Sequence, residues 1–157
     1  MIVTILLSLW ASPIFIIETI GVLLLWAFRK ITPIKIYTNP KLPYAWGWMF
    51  YINPKTFVNK ESWKGWSRGN IIVIQEGALA SRPAIPLHEL RHVWQVMIFG
   101  IFQPILYTLI KWFYSFKYGK KLGYFLNPFE QDAYRFSGES DLLEQRIKSL
   151  SSIPSSK

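Results

Sequence analysis

Cysteine is absent from the 157 residues, so disulfides and thiolate metal ligands are excluded, and any metal must be held by histidine and carboxylate. Histidine occurs only twice, and Asp and Glu number nine against eighteen Lys and Arg. The resulting formal charge of +9 suits anionic lipid headgroups and would equally suit nucleic acid. No recognisable nucleic-acid-binding motif accompanies the basic residues; Arg29, Lys30, Lys111, Lys117, Lys120 and Lys121 lie instead beside apolar and aromatic runs. A lipid bilayer is the expected partner and nucleic acid is not. Internal repeats and extended low-complexity tracts are also lacking, and the length suits one folded unit with a short appendage.

Apolar residues make up 51% of the chain, with eight Trp, a share above that of an ordinary soluble domain. From Ile2 to Phe28 the only polar residues are Thr4, Ser8, Ser12, Glu18 and Thr19. A helix of that length extends about 40 Å against a hydrocarbon core of roughly 30 Å, so residues 1–30 read as one tilted transmembrane anchor. No basic residue precedes the run and no small-residue cleavage pattern follows it, which argues against a removed signal peptide. Arg29, Lys30, Lys35 and Lys41 follow directly and place the remainder in the cytoplasm, giving a single-pass protein with its amino terminus outward. Glu18 inside the span calls for a partner or a polar pocket, unless Pro13 breaks the segment and leaves Glu18 near an interface.

Residues 31–70 carry Pro33, Pro40, Pro43 and Pro54 among aromatics and read as loops and short strands. Asn70 to Gln75 (NIIVIQ) is a β-branched strand closed by a turn at Glu76 and Gly77. A helix is predicted from Ala84 to Phe99, stopped by Gly100, and another from Pro104 through Tyr118. The latter interleaves aromatics with lysines, so the segment near 96–118 is expected to contact the membrane interface rather than to form a full second span, because Gly100, Gln103 and Pro104 interrupt it. Asn127 and Pro128 open a further helix that ends at Ser137 and Gly138, Asp141 to Leu150 forms a last amphipathic helix, and residues 151–157 read as a disordered tail.

His88, Glu89, Leu90, Arg91 and His92 spell H-E-x-x-H within the predicted helix. Four residues advance a helix by about 400°, leaving the two imidazoles about 40° apart on one face, where both reach one tetrahedral ion. Glu89 projects to the flank of that face, placed to take a proton from water acidified by the ion and deliver it to a leaving amine. Leu87, Leu90, Val93, Val96 and Met97 give the same helix a core-facing side, which weighs against reading the pair as ordinary partly buried histidines.

A catalytic zinc site needs a third protein ligand and an open position. With no further His or Cys, the candidates are Glu130, Asp132, Glu139, Asp141 and Glu144. Glu130 is best placed, because it begins the helix NPFEQDAYRF; its competing role is a capping box with Asn127.

HELRHVWQ, whose second histidine is followed after 37 residues by the Glu of NPFEQDAY, resembles the small zinc metallopeptidases of the gluzincin type, especially compact bacterial and phage members with an H-E-x-x-H-x-x-Q helix and a later N-P-x-E-x-x-A segment. The resemblance covers about Asn70 to Gly138, less than half of the chain. It implies His88, His92 and Glu130 as zinc ligands, Glu89 as general base, and NIIVIQ as the strand beside the cleft, along which an extended peptide adds. The chain departs from the group's E-x-x-x-D pattern, which would put Asp at position 134, where this chain has Tyr134; Asp132 lies on a different helical face. Tyr134 and Arg135 are assigned to packing rather than to oxyanion stabilisation.

The expected protein is α+β, with a zincin-like core over residues 31–150 built from a small sheet and the H-E-x-x-H helix, preceded by the transmembrane helix. Its expected activity is zinc-dependent hydrolysis of polypeptides, membrane proteins among them, close to the bilayer. The alternatives are a catalytically inactive zincin-like membrane interaction protein and a basic membrane-perturbing protein. The sequence carries no sign of an oligomeric state.

Overall fold

The computed structural model describes residues 2–27, 35–52 and 64–152. The architecture is mixed α+β: among the described residues a four-stranded sheet and eight helices. The strands are β1 (Lys35–Asn39), β2 (Leu42–Ile52), β3 (Gly65–Arg68) and β4 (Ile71–Gln75), in the order β1-β2-β4-β3. The first pair is antiparallel, β2 and β4 run parallel, and β3 closes antiparallel onto β4.

β4 is buried at every residue, as its unbroken β-branched run requires of a strand covered on both faces. Its alternation divides the interior: Ile72 and Ile74 join the main core, while Ile71 and Val73 pack with Phe50 and Ile52. β4 is paired along both edges, so an extended peptide cannot add to NIIVIQ as expected, and the outer position on that side belongs to β3. β2 runs for eleven residues despite Pro43. The proline is tolerated because it lies beside the irregularity after Thr38, outside the stretch that pairs with β4.

The helices are α1 (Ile2–Trp10), α2 (Ser12–Ala27), α3 (Ala78–Ser81), α4 (Ile85–Phe99), α5 (Phe102–Tyr118), α6 (Lys120–Phe125), α7 (Pro128–Ser137) and α8 (Ser140–Ser151). Helix α4 lies on the sheet through Ile85, Leu90, Val93 and Met97, all fully buried. Its predicted bounds hold to within a residue, and Gly100 ends it at φ 56, a conformation that favours glycine. Gly65 on β3 lets the sheet edge approach the first turn of α4: a Cβ there would fall 2.7 Å from Ile85 Cγ2 and 3.3 Å from Glu89 Oε1.

The apolar run at the amino terminus is not the single span expected. It is bent by 76° between α1 and α2, and no single described helix is long and apolar enough to cross a membrane. The cause is local: Pro13 has no N–H, and its ring would clash with the carbonyl four residues back if one helix ran through Ala11. The corner docks on the domain. Ala11 and Phe15 enter the main core, Trp46 Nε1 donates to Ser8 Oγ at 3.1 Å, and Trp10 Nε1 donates to the Ile98 carbonyl at 3.3 Å. Glu18 has its partner, Arg68 of β3, at 2.6 Å. The segment expected at the membrane interface is a second corner, with α4 and α5 meeting at 115°.

Of the expected tail, Ser151 is the last residue of α8, and residues 153–157 lie outside the described residues, as do Arg29, Lys30, Pro33 and Pro54.

Gly123 marks the closest helix contact: a Cβ would lie 2.5 Å from Ser115 N and 2.6 Å from Ser115 Cα, both backbone atoms of α5. Helix propensity alone makes Gly→Ala stabilising by about 1 kcal/mol, but here α6 would have to move off α5. Gly123→Ala is expected to lower the thermal midpoint by several degrees; an unchanged or raised midpoint would show that the two helices are not in this contact.

Candidate metal centre

His88 and His92 project from one face of α4, the first buried and the second partly so, with ring centroids 5.0 Å apart. Opposite stands α7, begun by Asn127, whose side chain accepts from Phe129 N at 3.1 Å, with Pro128 at the first helical position. This cap directs the first turn of α7, and with it Glu130, at the histidine pair. The Asn127 N–H bonds the Tyr124 carbonyl, so the capping-box role does not claim Glu130. Glu130 Oε2 lies 3.5 Å from His88 Nε2, and Glu130 Oε1 lies 3.5 Å from His92 Nε2.

One nitrogen from each histidine and one Glu130 oxygen lie within 4.8 Å of one another. Ligands about 2.0–2.2 Å from a tetrahedral ion stand roughly 3.4 Å apart, and each histidine Nε2 lies 3.5 Å from a Glu130 oxygen. A second observation agrees: Glu130 Oε2 is buried and has no hydrogen-bond partner, which is costly for a carboxylate unless a cation or proton answers it. The residues therefore fit a divalent metal. Among the described residues, Asp132, Glu139, Asp141 and Glu144 do not belong to this group.

Several supporting side chains escape sequence reasoning. Gln95 Nε2 donates to the Phe129 carbonyl at 3.0 Å and to Asp132 Oδ2 at 2.8 Å, so its Oε1 must face His92 Nδ1, 2.8 Å away. That contact puts a hydrogen on Nδ1 and leaves Nε2 as the ligating atom. Asp132 is in turn gripped by Arg91 through two bonds of 2.7 and 3.0 Å. The carboxylate thus reaches the histidine through Gln95, despite lying on another face of α7. Tyr107 of α5 donates its hydroxyl to Glu130 Oε1 at 2.6 Å. Ser67 of β3 donates to Glu89 Oε2 at 2.8 Å and fixes that carboxylate against the strand. Tyr134, expected to pack at the surface, is buried and sets its ring on His88 with centroids 4.6 Å apart, while Arg135 is exposed and its side chain bonds Gln131.

Comparison with models of protein families, with curated proteins and with solved structures finds no match.

Electrostatics bind the cluster together. Burial alone would lower the pKa of His92, but the Glu130 carboxylate, aided by Glu89 and Gln95, holds it up at about 9 against an ordinary 6.5. Burial would raise Glu130, yet His92 and His88 keep it well below its ordinary 4.5. A proton held on His92 thus balances the buried carboxylate until a cation displaces it. The raised histidine stabilises the metal-free fold fully below pH 6.5, a contribution lost as pH climbs through about 9. The lowered carboxylate contributes above pH 4.5, and this is lost as pH falls. Chelator-treated protein is accordingly expected to melt highest between about pH 4.5 and 6.5 and to lose stability from there to pH 9. A melting temperature that is flat or rising over that upper interval would remove the His92–Glu130 coupling.

Proposed function

We propose that this protein is a zinc metallopeptidase that hydrolyses peptide bonds in polypeptides, membrane proteins included, with Glu89 as general base. The observation that carries the reading is the convergence of His88 Nε2, His92 Nε2 and Glu130 in one buried cluster, with Glu89 next in the chain to His88. The likeness of HELRHVWQ and NPFEQDAY to gluzincin-type peptidases supports it. Zinc is favoured over harder ions because two imidazoles and one carboxylate are its characteristic catalytic donor set.

His88, His92 and Glu130 would hold the zinc ion, which would supply Lewis acidity to a water and to the scissile carbonyl. Glu89 takes the proton from the attacking water and returns it to the leaving nitrogen as the C–N bond breaks. Ser67 holds Glu89 in place through Oε2, leaving Oε1 for the proton. Glu89 stands close enough to His92 for its charge to help hold up that imidazole's pKa, so base and metal ligands share one site. Gln95 and Tyr107 orient His92 and Glu130 from opposite sides.

The seat of this enzyme is a bilayer surface, its catalytic domain on the cytoplasmic side. Trp112, Phe113 and Phe116 of α5 are exposed, Phe116 at 86%, alongside Lys111 and Lys117, and the apolar side chains of Ile5, Leu9, Ile16 and Ile20 stand outward on α1 and α2. Apolar area of that kind flanked by cations suits an anionic lipid interface. The exposed apolar side chains of α1, α2 and α5 give this attachment its face in place of one spanning helix.

Glu89→Gln is expected to lower peptide hydrolysis at least about 100-fold while zinc content and circular dichroism stay unchanged. Cleavage persisting at the wild-type rate in that variant, checked by fragment analysis in the native host, would remove the peptidase reading. Replacing Trp112 and Phe116 together by Asp is expected to reduce sedimentation with anionic vesicles several-fold and leave zinc content alone; undiminished sedimentation would remove α5 from the membrane face.

A further inference from the structure

His88 has one nitrogen that the site so far leaves unanswered. Its Nε2 faces Glu130, whereas its Nδ1 is buried and has no hydrogen-bond partner. His92 differs, since Gln95 takes its Nδ1. An unpaired ring N–H in such a place is destabilising, and a histidine ligand almost always gives that hydrogen to an oxygen. Helix α7 offers no carboxylate for the purpose, because Tyr134 covers His88 with its ring instead.

The acid that does stand beside Nδ1 comes from one turn further along the chain. Gly138 leaves α7 at φ 81, and Glu139 N then bonds back to the Tyr134 carbonyl at 2.8 Å, a reversal that a left-handed glycine permits. This brings Glu139 Oε2 to 3.9 Å from His88 Nδ1. The carboxylate is rigidly held: Arg82 Nε donates to Oε1 at 2.7 Å, Arg82 Nη2 to Oε2 at 2.6 Å, and Ser137 Oγ to Oε2 at 3.1 Å.

We propose that Glu139 is a positioning residue for the metal centre, accepting the Nδ1 hydrogen of His88 and so fixing the tautomer in which Nε2 ligates, with Arg82 as the clamp that sets its place. Closing 3.9 Å to hydrogen-bond distance requires a displacement of about 1 Å. The pair His88–Glu139 then does for one ligand what His92–Gln95–Asp132 does for the other. The inference rests on the zinc reading and adds to it a residue outside the H-E-x-x-H and N-P-x-E-x-x-A segments.

The test uses the full chain loaded with zinc. Because the protein has only two histidines, nitrogen-15 NMR of the imidazoles resolves both ligands. In the wild type, His88 is expected to carry its hydrogen on Nδ1, shifted downfield and slow to exchange. Glu139→Gln, which keeps the shape and removes the charge, is expected to move the His88 signal, leave that of His92, and weaken zinc binding roughly 10- to 100-fold in competition with a chromogenic chelator. A wild-type His88 protonated on Nε2 would overturn the proposal without recourse to any variant. Wild-type affinity and an unmoved His88 signal in a folded Glu139→Gln protein would do the same while leaving the zinc site standing. Failure of the wild type to bind zinc would end both.

Discussion

The Glu130 carboxylate, 3% exposed and set between two imidazole nitrogens, is the constraint to which the rest of the centre is fitted. A buried charge of this kind costs several kcal/mol unless it is answered, and the answer here must be a proton on His92 or a cation on all three groups. Much of the surrounding structure fixes the placement of this carboxylate and of the rings beside it. The Asn127 cap and Pro128 aim the first turn of α7, Tyr107 occupies one lone pair of Glu130, and the chain from His92 through Gln95 to Asp132 and Arg91 prevents the ring from turning. Helices α4 and α7 are thereby joined by polar bonds around the cluster, while α4 meets the sheet through an apolar face.

The scarcity of acid in this chain gives that arrangement a second meaning. Only nine acidic residues oppose eighteen basic ones, yet Glu89, Glu130, Asp132 and Glu139 stand around the two histidines. A strongly cationic molecule has set four of its nine acidic residues around one pair of histidines, where they favour a cation and keep His92 basic. Most of the remaining surface is free to be positive and apolar. β3 joins the two regions, since Ser67 holds Glu89 while the adjacent Arg68 holds Glu18 of α2.

Local chemistry made part of this legible in advance. The bounds of α4, the Asn127–Pro128 start and Gly138 stop of α7, and the β-branched strand β4 follow from caps, breakers and side-chain periodicity, which act within a few residues. Of the group that could hold a metal, the pair His88 and His92 followed from helix geometry, and Glu130 from elimination and from the resemblance of NPFEQDAY. What sequence reasoning missed depends on approach between distant segments: Tyr107 on Glu130, Ser67 on Glu89, and Glu139 near His88 are joined across 23, 22 and 51 positions. Gln95 was visible as part of the motif, but its role needs Phe129 and Asp132 to orient its amide. Hydropathy could not register the 76° bend at Ala11, because it averages over a proline whose effect is steric. Nor could a run of β-branched residues reveal that β4 is paired on both sides, which moves the outer edge to β3.

The central claim is that one zinc ion sits on His88, His92 and Glu130. Zinc K-edge X-ray absorption on protein purified with its metal tests it most directly. The expected spectrum shows about one zinc per chain in a four- or five-coordinate shell of nitrogen and oxygen at roughly 2.0–2.2 Å, with the multiple scattering of two imidazoles, reduced to one in His92→Ala. A substoichiometric ion, or a spectrum without imidazole that His92→Ala leaves unchanged, would contradict it.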